Sequence, residues 1–205
     1  MALECAGHTT IAVGNDKHVC GLISISDGIR EDAAAVVASL KQLGIQKVVM
    51  LTGDNQYAAR SVGAAAKVDD IKANLLPEDK LRIIEELTAS AGHVAMVGDG
   101  VNDAPALAAA SLGIAMGSVG TDAAIETADI ALMADDLTRV PWLIRHAHKT
   151  MAIVRQNIIF SVATKFVFMA LALANLATLW MAIAADMGVS LLVILNSLRL
   201  LRHQT

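Results

Sequence analysis

From Asn157 to Leu198 the sequence runs for roughly 40 residues with only two formal charges, Lys165 and Asp186, and as helix it would extend about 60 Å at 1.5 Å per residue. A bilayer core is about 30 Å thick, so the stretch asks for two crossings, with a tight connection near Asn175 to Thr178. Basic residues flank both ends, Lys149 and Arg155 before and Arg199 and Arg202 after, which places both ends on the cytoplasmic side. The composition agrees: 55% hydrophobic, 3% aromatic and a mean hydropathy of +0.55 are values that a purely water-soluble domain rarely carries. By helical rise both charges lie near mid-membrane depth, where each alone costs several kcal/mol; they either pair or serve an ion path.

Ahead of that hairpin the pattern changes. Val94 to Val97 reads as a buried strand that stops at Gly98-Asp99-Gly100-Val101-Asn102-Asp103, and Pro105 then opens an alanine-rich helix where its missing N–H costs nothing. Acids at the carboxyl end of a parallel strand sit where an open α/β sheet puts its active site. Gly98 and Gly100 let the backbone turn sharply. Two acids held so close favour a cation beside them, and hard oxygen ligands suit Mg²⁺. Lys47 to Leu51 is a second apolar strand, ending at Thr52-Gly53-Asp54-Asn55 before a helix from Gln56 to Ala66. A hydroxyl and a glycine N–H just before a helix N-terminus make a phosphate cradle. Leu76-Pro77-Glu78-Asp79-Lys80 opens another helix, with proline at its first turn and Leu81, Ile84 and Leu87 facing inward.

Asp27-Gly28-Ile29-Arg30 leads into a helix from about Glu31 to Gln42 that Gly44 ends; on the residues alone Asp27 can simply cap it. Leu112 to Met116 and Ile130 to Met133 read as further strands, with a helix near Thr121 to Thr127. The alternation predicts a parallel sheet covered on both faces. Thr9 to Val13 and His18 to Ile25 form a hairpin pattern around Gly14-Asn15-Asp16. Cys5, His8, His18 and Cys20 lack the spacing of a ligand pair and read as scattered residues. Two cysteines outside any CxxC pair fit a reducing compartment without a disulfide. A formal charge of −4 argues against nucleic acid as a partner. On the helix that starts near Leu137, His146 and His148 do not share a face and read as solvated.

The run GDGVNDAPAL resembles the signature of P-type ATPases, ion pumps whose phosphorylation domain has the haloacid-dehalogenase-like fold. The resemblance implies an α/β, Rossmann-type phosphorylation domain, incomplete, followed by a two-helix transmembrane hairpin. Residues 1–25 would then be the tail end of a nucleotide-binding domain and 26–140 the C-terminal part of the phosphorylation domain. Residues 141–205 would be a cytoplasmic helix extension with spans at about 157–175 and 178–198. By resemblance Thr52 and Gly53 bind the transferred phosphoryl group, Asp54 lies close to ATP, and Asp27 and Arg30 sit beside the nucleotide. Lys80 neutralises phosphoryl oxygens, Asp99 ligates Mg²⁺ with Asp103 in its vicinity, and Asn102 and Asp103 orient Lys80 and the phosphate. Asp186-Met187-Gly188 resembles the Asp-x-Gly of the last helix in the zinc/cadmium/lead branch, and Lys165 matches that branch's lysine. The Tyr-Asn and Met-Ser patterns of the copper branch are not seen. Asp186 would be a ligand for the transported divalent ion and Lys165 its counter-ion.

The family's phosphorylated aspartate, in Asp-Lys-Thr-Gly-Thr, has no counterpart in this sequence, and neither does its Cys-Pro-Cys helix. Phosphoryl transfer needs an in-line nucleophile, so the chain alone is expected neither to form a phosphoenzyme nor to pump. The expectation is the C-terminal portion of an ATP-driven exporter of Zn²⁺, Cd²⁺ or Pb²⁺ in a bacterial inner or plasma membrane. Its α/β part and both termini would be cytoplasmic, and its partners lipid, the metal ion and the remainder of the ATPase. The alternative is a non-catalytic membrane-anchored fragment or split-pump subunit that acts by binding a partner. The sheet is expected to lack the strand that bears the aspartate, leaving a gap at its centre.

Overall fold

Short apolar runs bounded by Gly, Asp or Asn form strands here, and alanine- or leucine-rich runs between them form helices. The computed structural model describes residues 9–15, 18–25, 30–100, 102–117 and 127–203. The elements are β1 (Thr9–Asn15), β2 (His18–Ile25), α1 (Ala33–Gln42), β3 (Val49–Leu51), α2 (Gln56–Ala66), β4 (Asp70–Lys72) and α3 (Pro77–Ala91). There follow β5 (Ala95–Gly98), α4 (Ala104–Ala109), β6 (Leu112–Met116), β7 (Ile130–Leu132), α5 (Arg139–Leu173), α6 (Leu179–Ser197) and a 3₁₀ segment, Leu198–His203. Cys5, His8, Asp27, Val101 and nearly all of the helix expected near Thr121 lie outside the described residues. The chain divides into two units, Met1–Pro141 and Trp142–Thr205.

In the first unit β1 and β2 pair antiparallel. The alternation of strands and helices predicted a parallel sheet with a gap at its centre, and two parallel ladders form among the described residues. β3 pairs β4 with Met50 opposite Ile71, while β5, β6 and β7 pair with Val97 opposite Ile114 and Ile114 opposite Ile130. The physical reason is that β3 and β5 each find a partner on one side alone among the described residues. Both ladders still share apolar packing. Leu51, at the end of β3, packs against a buried cluster of Ile84, Met96, Ala106 and Leu107 drawn from α3, β5 and α4.

Helix ends follow their residues. Gly44 adopts φ +98°, a left-handed conformation that costs glycine little, and closes α1 with Gly44 N–H to Lys41 O and Ile45 N–H to Leu40 O, both 3.1 Å. The Asn55 side chain accepts from the N–H groups of Tyr57 and Ala58 at 3.0 and 2.9 Å and starts α2. Asp79 reaches back to the Leu76 N–H at 3.2 Å at the start of α3. Observed elements are shorter than expected where polar partners intervene. β3 begins at Val49 because the Val48 N–H is taken by the Asp69 carboxylate at 2.9 Å, and α1 starts at Ala33 because Glu31 and Asp32 form a turn.

In the second unit α5 has 35 residues and α6 has 19. Both are long and apolar enough to cross a membrane. Phe166, Leu173 and Trp180 are 61%, 82% and 79% exposed, a surface that in water would drive association. The connection is a Schellman ending in which Asn175 takes φ +55° while Asn175 N–H reaches Ala172 O and Leu176 N–H reaches Leu171 O. Thr178 then caps α6, its hydroxyl accepting from Met181 N–H. At the opposite end of the helices, Asn196 Nδ2 donates to Asn157 Oδ1 at 2.8 Å and Asn157 Nδ2 donates to Ser197 Oγ at 3.0 Å. Each such bond between spanning helices contributes about 0.6–2 kcal/mol. His146 departs from its solvated expectation: it stacks on Trp142 one turn earlier, with ring centroids 5.1 Å apart and a 14° interplanar angle.

Candidate functional site

The site in the first unit is assembled by three loops that follow strand ends. Thr52 leaves β3, and its carbonyl accepts the Leu75 N–H at 3.1 Å while its N–H reaches back to Lys72 O at 3.0 Å. Leu75 stands directly before α3, whose first turn carries Lys80. From there the Lys80 ammonium reaches Asp103 Oδ1 at 2.6 Å, with both side chains only 15% exposed. Asp103 closes the loop that leaves β5 and packs on Gly98. A Cβ at that glycine would stand 3.0 Å from Asp103 Oδ2 and 3.2 Å from its Cβ, so any larger residue would press on the Asp103 side chain. Gly100, buried and at φ +75°, turns the chain between Asp99 and Asn102. Thr52, Lys80, Gly98 and Asp103 are therefore linked by an unbroken series of contacts.

Within the β3 loop the Thr52 hydroxyl donates to Asp54 Oδ2 at 2.8 Å and accepts the Asp54 N–H at 3.1 Å. Asn74 N–H holds the Asp54 carbonyl at 2.8 Å. Gly53, Asp54, Asp99 and Asn102 are exposed, as groups that meet a ligand from solvent must be. Among the described residues no three His, Cys, Asp or Glu side chains gather as a metal cluster. The hard oxygens on offer are those of the Asp99 and Asp103 carboxylates. That fits Mg²⁺, which keeps several waters and takes one or two carboxylates together with substrate phosphate oxygens.

Arg30 is engaged elsewhere. Its guanidinium donates to the Asp135 carbonyl at 2.8 Å and to Asp135 Oδ1 at 2.5 Å, tying the entry of α1 to the turn after β7. Nothing in the local sequence marks Asp135 as its partner, which stands 105 residues away. Next to it, Asp136 accepts from the Thr138 hydroxyl and N–H and from Arg139 Nε as α5 begins. The Thr138 hydroxyl first, then the Thr138 N–H and Arg139, hold the Asp136 carboxyl below its ordinary range. Asp69 is lowered chiefly by Lys41 and Asp70 chiefly by Lys47.

In the second unit Lys165 and Asp186 line one cavity of about 260 Å³ between α5 and α6, together with Ser161, Thr164, Met169 and Val189. No ion pair joins the two charges among the described residues; they share a space large enough for an ion and its ligands.

Residues 2–111 match the haloacid dehalogenase-like hydrolase family. The chain belongs to that family. The match covers the hairpin of β1 and β2, the ladder of β3 and β4, then β5 and α4, and all three loops of the site. Relatives extend the likeness through the hairpin of apolar helices. The chain is 50% identical over 200 residues to a probable cadmium-transporting ATPase of Staphylococcus aureus, a match that covers 98% of this chain and 25% of that protein. It is 46% identical over 202 residues to a zinc/cadmium/lead-transporting P-type ATPase of Escherichia coli, with 98% and 27% covered. Its fold matches the crystal structure of a zinc-transporting PIB-type ATPase in the E2.Pi state with a TM-score of 0.85 and 45% identity, over 98% of this chain and 32% of that one. The chain thus spans about a quarter of the length of these curated relatives. The homologues of this chain are heavy-metal-transporting P-type ATPases.

Proposed function

We propose that the chain is the C-terminal portion of an ATP-driven exporter of Zn²⁺, Cd²⁺ or Pb²⁺, holding its phosphate and Mg²⁺ site and its last two membrane helices. One observation carries the reading: Lys165 and Asp186, the two formal charges in some forty apolar residues, line a single cavity. An isolated charge at that depth is expensive, and a shared cavity offers it a cation or a counter-charge. Asp186 is the anionic ligand for the transported ion, and Lys165 is the built-in cation that takes its place when the ion leaves.

In the first unit Thr52 and the Gly53 N–H face the phosphoryl group. The Thr52 hydroxyl, bonded to Asp54, has an alternative acceptor once phosphate arrives. Lys80 stands at the phosphate as a point charge held in place by Asp103. Asp99 is the residue to hold Mg²⁺, with Asp103 in its vicinity, and the ion's chemistry there would be to neutralise charge on phosphate oxygens. Asp27, Arg30 and Asp54 border the nucleotide, and Asn102 helps to orient the phosphate. The acceptor aspartate comes on a strand between β3 and β5, whose facing edges lack a described partner. The α/β unit and both ends of the hairpin lie in the cytoplasm, as the basic residues at both hairpin ends favour.

The test is a fusion in which the preceding three quarters of the Staphylococcus aureus relative are joined to this chain. Cd²⁺ should stimulate its ATP hydrolysis, and Asp186→Asn should remove that stimulation while leaving the protein folded. Equal stimulation in the two would refute the assignment.

A further inference from the structure

The Asn157 amide is used at both ends. Four hydrogen bonds run head to tail, the middle two of them between α6 and α5: Arg199 Nη1 donates to Asn196 Oδ1 at 3.2 Å, and Asn196 Nδ2 to Asn157 Oδ1 at 2.8 Å. Asn157 Nδ2 donates to Ser197 Oγ at 3.0 Å, and the Ser197 hydroxyl to Val193 O at 3.0 Å. The series begins on a charged donor and ends on a backbone carbonyl, so each bond polarises the next. These are polar side chains on two otherwise apolar helices, with Asn157, Asn196 and Ser197 half-buried against one another. An ionised aspartate at position 157 only accepts and could not donate to Ser197 as the amide does.

The bonds fix a register. When residue 157 of one antiparallel helix faces 196 and 197 of the other, residue 168 falls opposite 185 and 186, and 172 opposite 182. The cavity walls agree, for Phe168, Ala172, Ala182, Ala185 and Asp186 all line it. Lys165 stands eight residues, or about 12 Å, along α5 from Asn157. A slip of one helical turn that brings Val193 level with Thr164 would carry Asp186 about 6 Å further along the helices from Lys165.

We propose that Asn157 is a positioning residue: by bonding to Asn196 and Ser197 it sets the helix register that brings Lys165 and Asp186 to one cation cavity. The cation part rests on the pump reading above; the register part does not. Ile158, exposed and without a role in the cavity, serves as the control position.

The experiment uses the full chain in lipid nanodiscs. For cross-linking, Cys5 and Cys20 are first changed to Ser, and a Thr164→Cys/Val189→Cys pair reads the observed register while Thr164→Cys/Val193→Cys reads a one-turn slip. Asn157→Leu should shift oxidative cross-linking from the first pair toward the second, Ile158→Ala should not, and Asn157→Ser with Ser197→Asn, which restores an amide–hydroxyl pair, should recover the first. Without the added cysteines, Asn157→Leu should weaken Cd²⁺ binding about tenfold, the size seen when support behind a metal ligand is lost. An unchanged cross-link pattern in Asn157→Leu overturns the proposal. A shifted pattern in a chain whose parent shows no Cd²⁺ affinity supports the positioning role and refutes the cation reading instead.

Discussion

At the scale of single residues, the pair of Lys80 and Asp103 concentrates the consequences. Both are largely buried, so Lys80→Ala leaves a carboxylate without its partner and should lower stability by about 1–3 kcal/mol, read by thermal melting. A smaller loss than from an exposed pair such as Arg82 and Asp79 would contradict the burial argument. Asp136 gives a pH signature. Its carboxyl titrates below the ordinary value of 3.8 in the folded chain, so its contribution is present above about pH 4 and disappears as pH falls through the lowered value. Asp136→Asn should therefore melt below the parent at pH 7, and the gap should narrow toward pH 3. The loops of Thr52, Gly53, Asp99 and Asp103 were readable as loops because each follows a strand end beside Gly, where short-range chemistry fixes the turn. Arg30 and Asn157 were not so readable. Their partners lie 105 and about 40 residues away, and no local spacing encodes such distances. The one available signal for Asn157 was an amide at the mouth of an otherwise apolar run.

At the scale of elements, the caps and turns carried most of the information. Gly44, Asn55, Pro77 and Thr178 sit at the ends that their side chains favour, which is why helix boundaries shifted by only a residue or two. Strands were harder, since β3 and β7 are three residues long and their extent depends on which neighbour supplies hydrogen bonds. The parallel sheet, expected with a gap at its centre, is seen as two ladders because neither β3 nor β5 has a second described neighbour. The turn between α5 and α6 offers a direct check. Asn175 occupies left-handed space, so Asn175→Val should destabilise the hairpin by about 1–2 kcal/mol while Asn175→Gly should be tolerated. Melting of the chain in nanodiscs distinguishes them, and equal losses would show that the backbone conformation does not matter there.

At the scale of the whole chain, two arrangements occur in one sequence: strand-end loops that bring hard oxygens together with Lys80, and a charged pair lining a cavity between apolar helices. The hairpin was legible from its length and lack of charge, and the α/β unit from its periodicity. On the proposed reading the first unit takes up a further strand, because β3 and β5 keep edges that this chain's described residues leave unpaired. A strand bearing an acceptor aspartate would complete both the sheet and the chemistry. The most direct measurement is ATP-driven uptake of radioactive Cd²⁺ into inverted membrane vesicles that carry the fusion with the Staphylococcus aureus relative. The account predicts uptake by the fusion and none above background for Asp186→Asn or Lys80→Ala. Undiminished uptake with Asp186→Asn would contradict it.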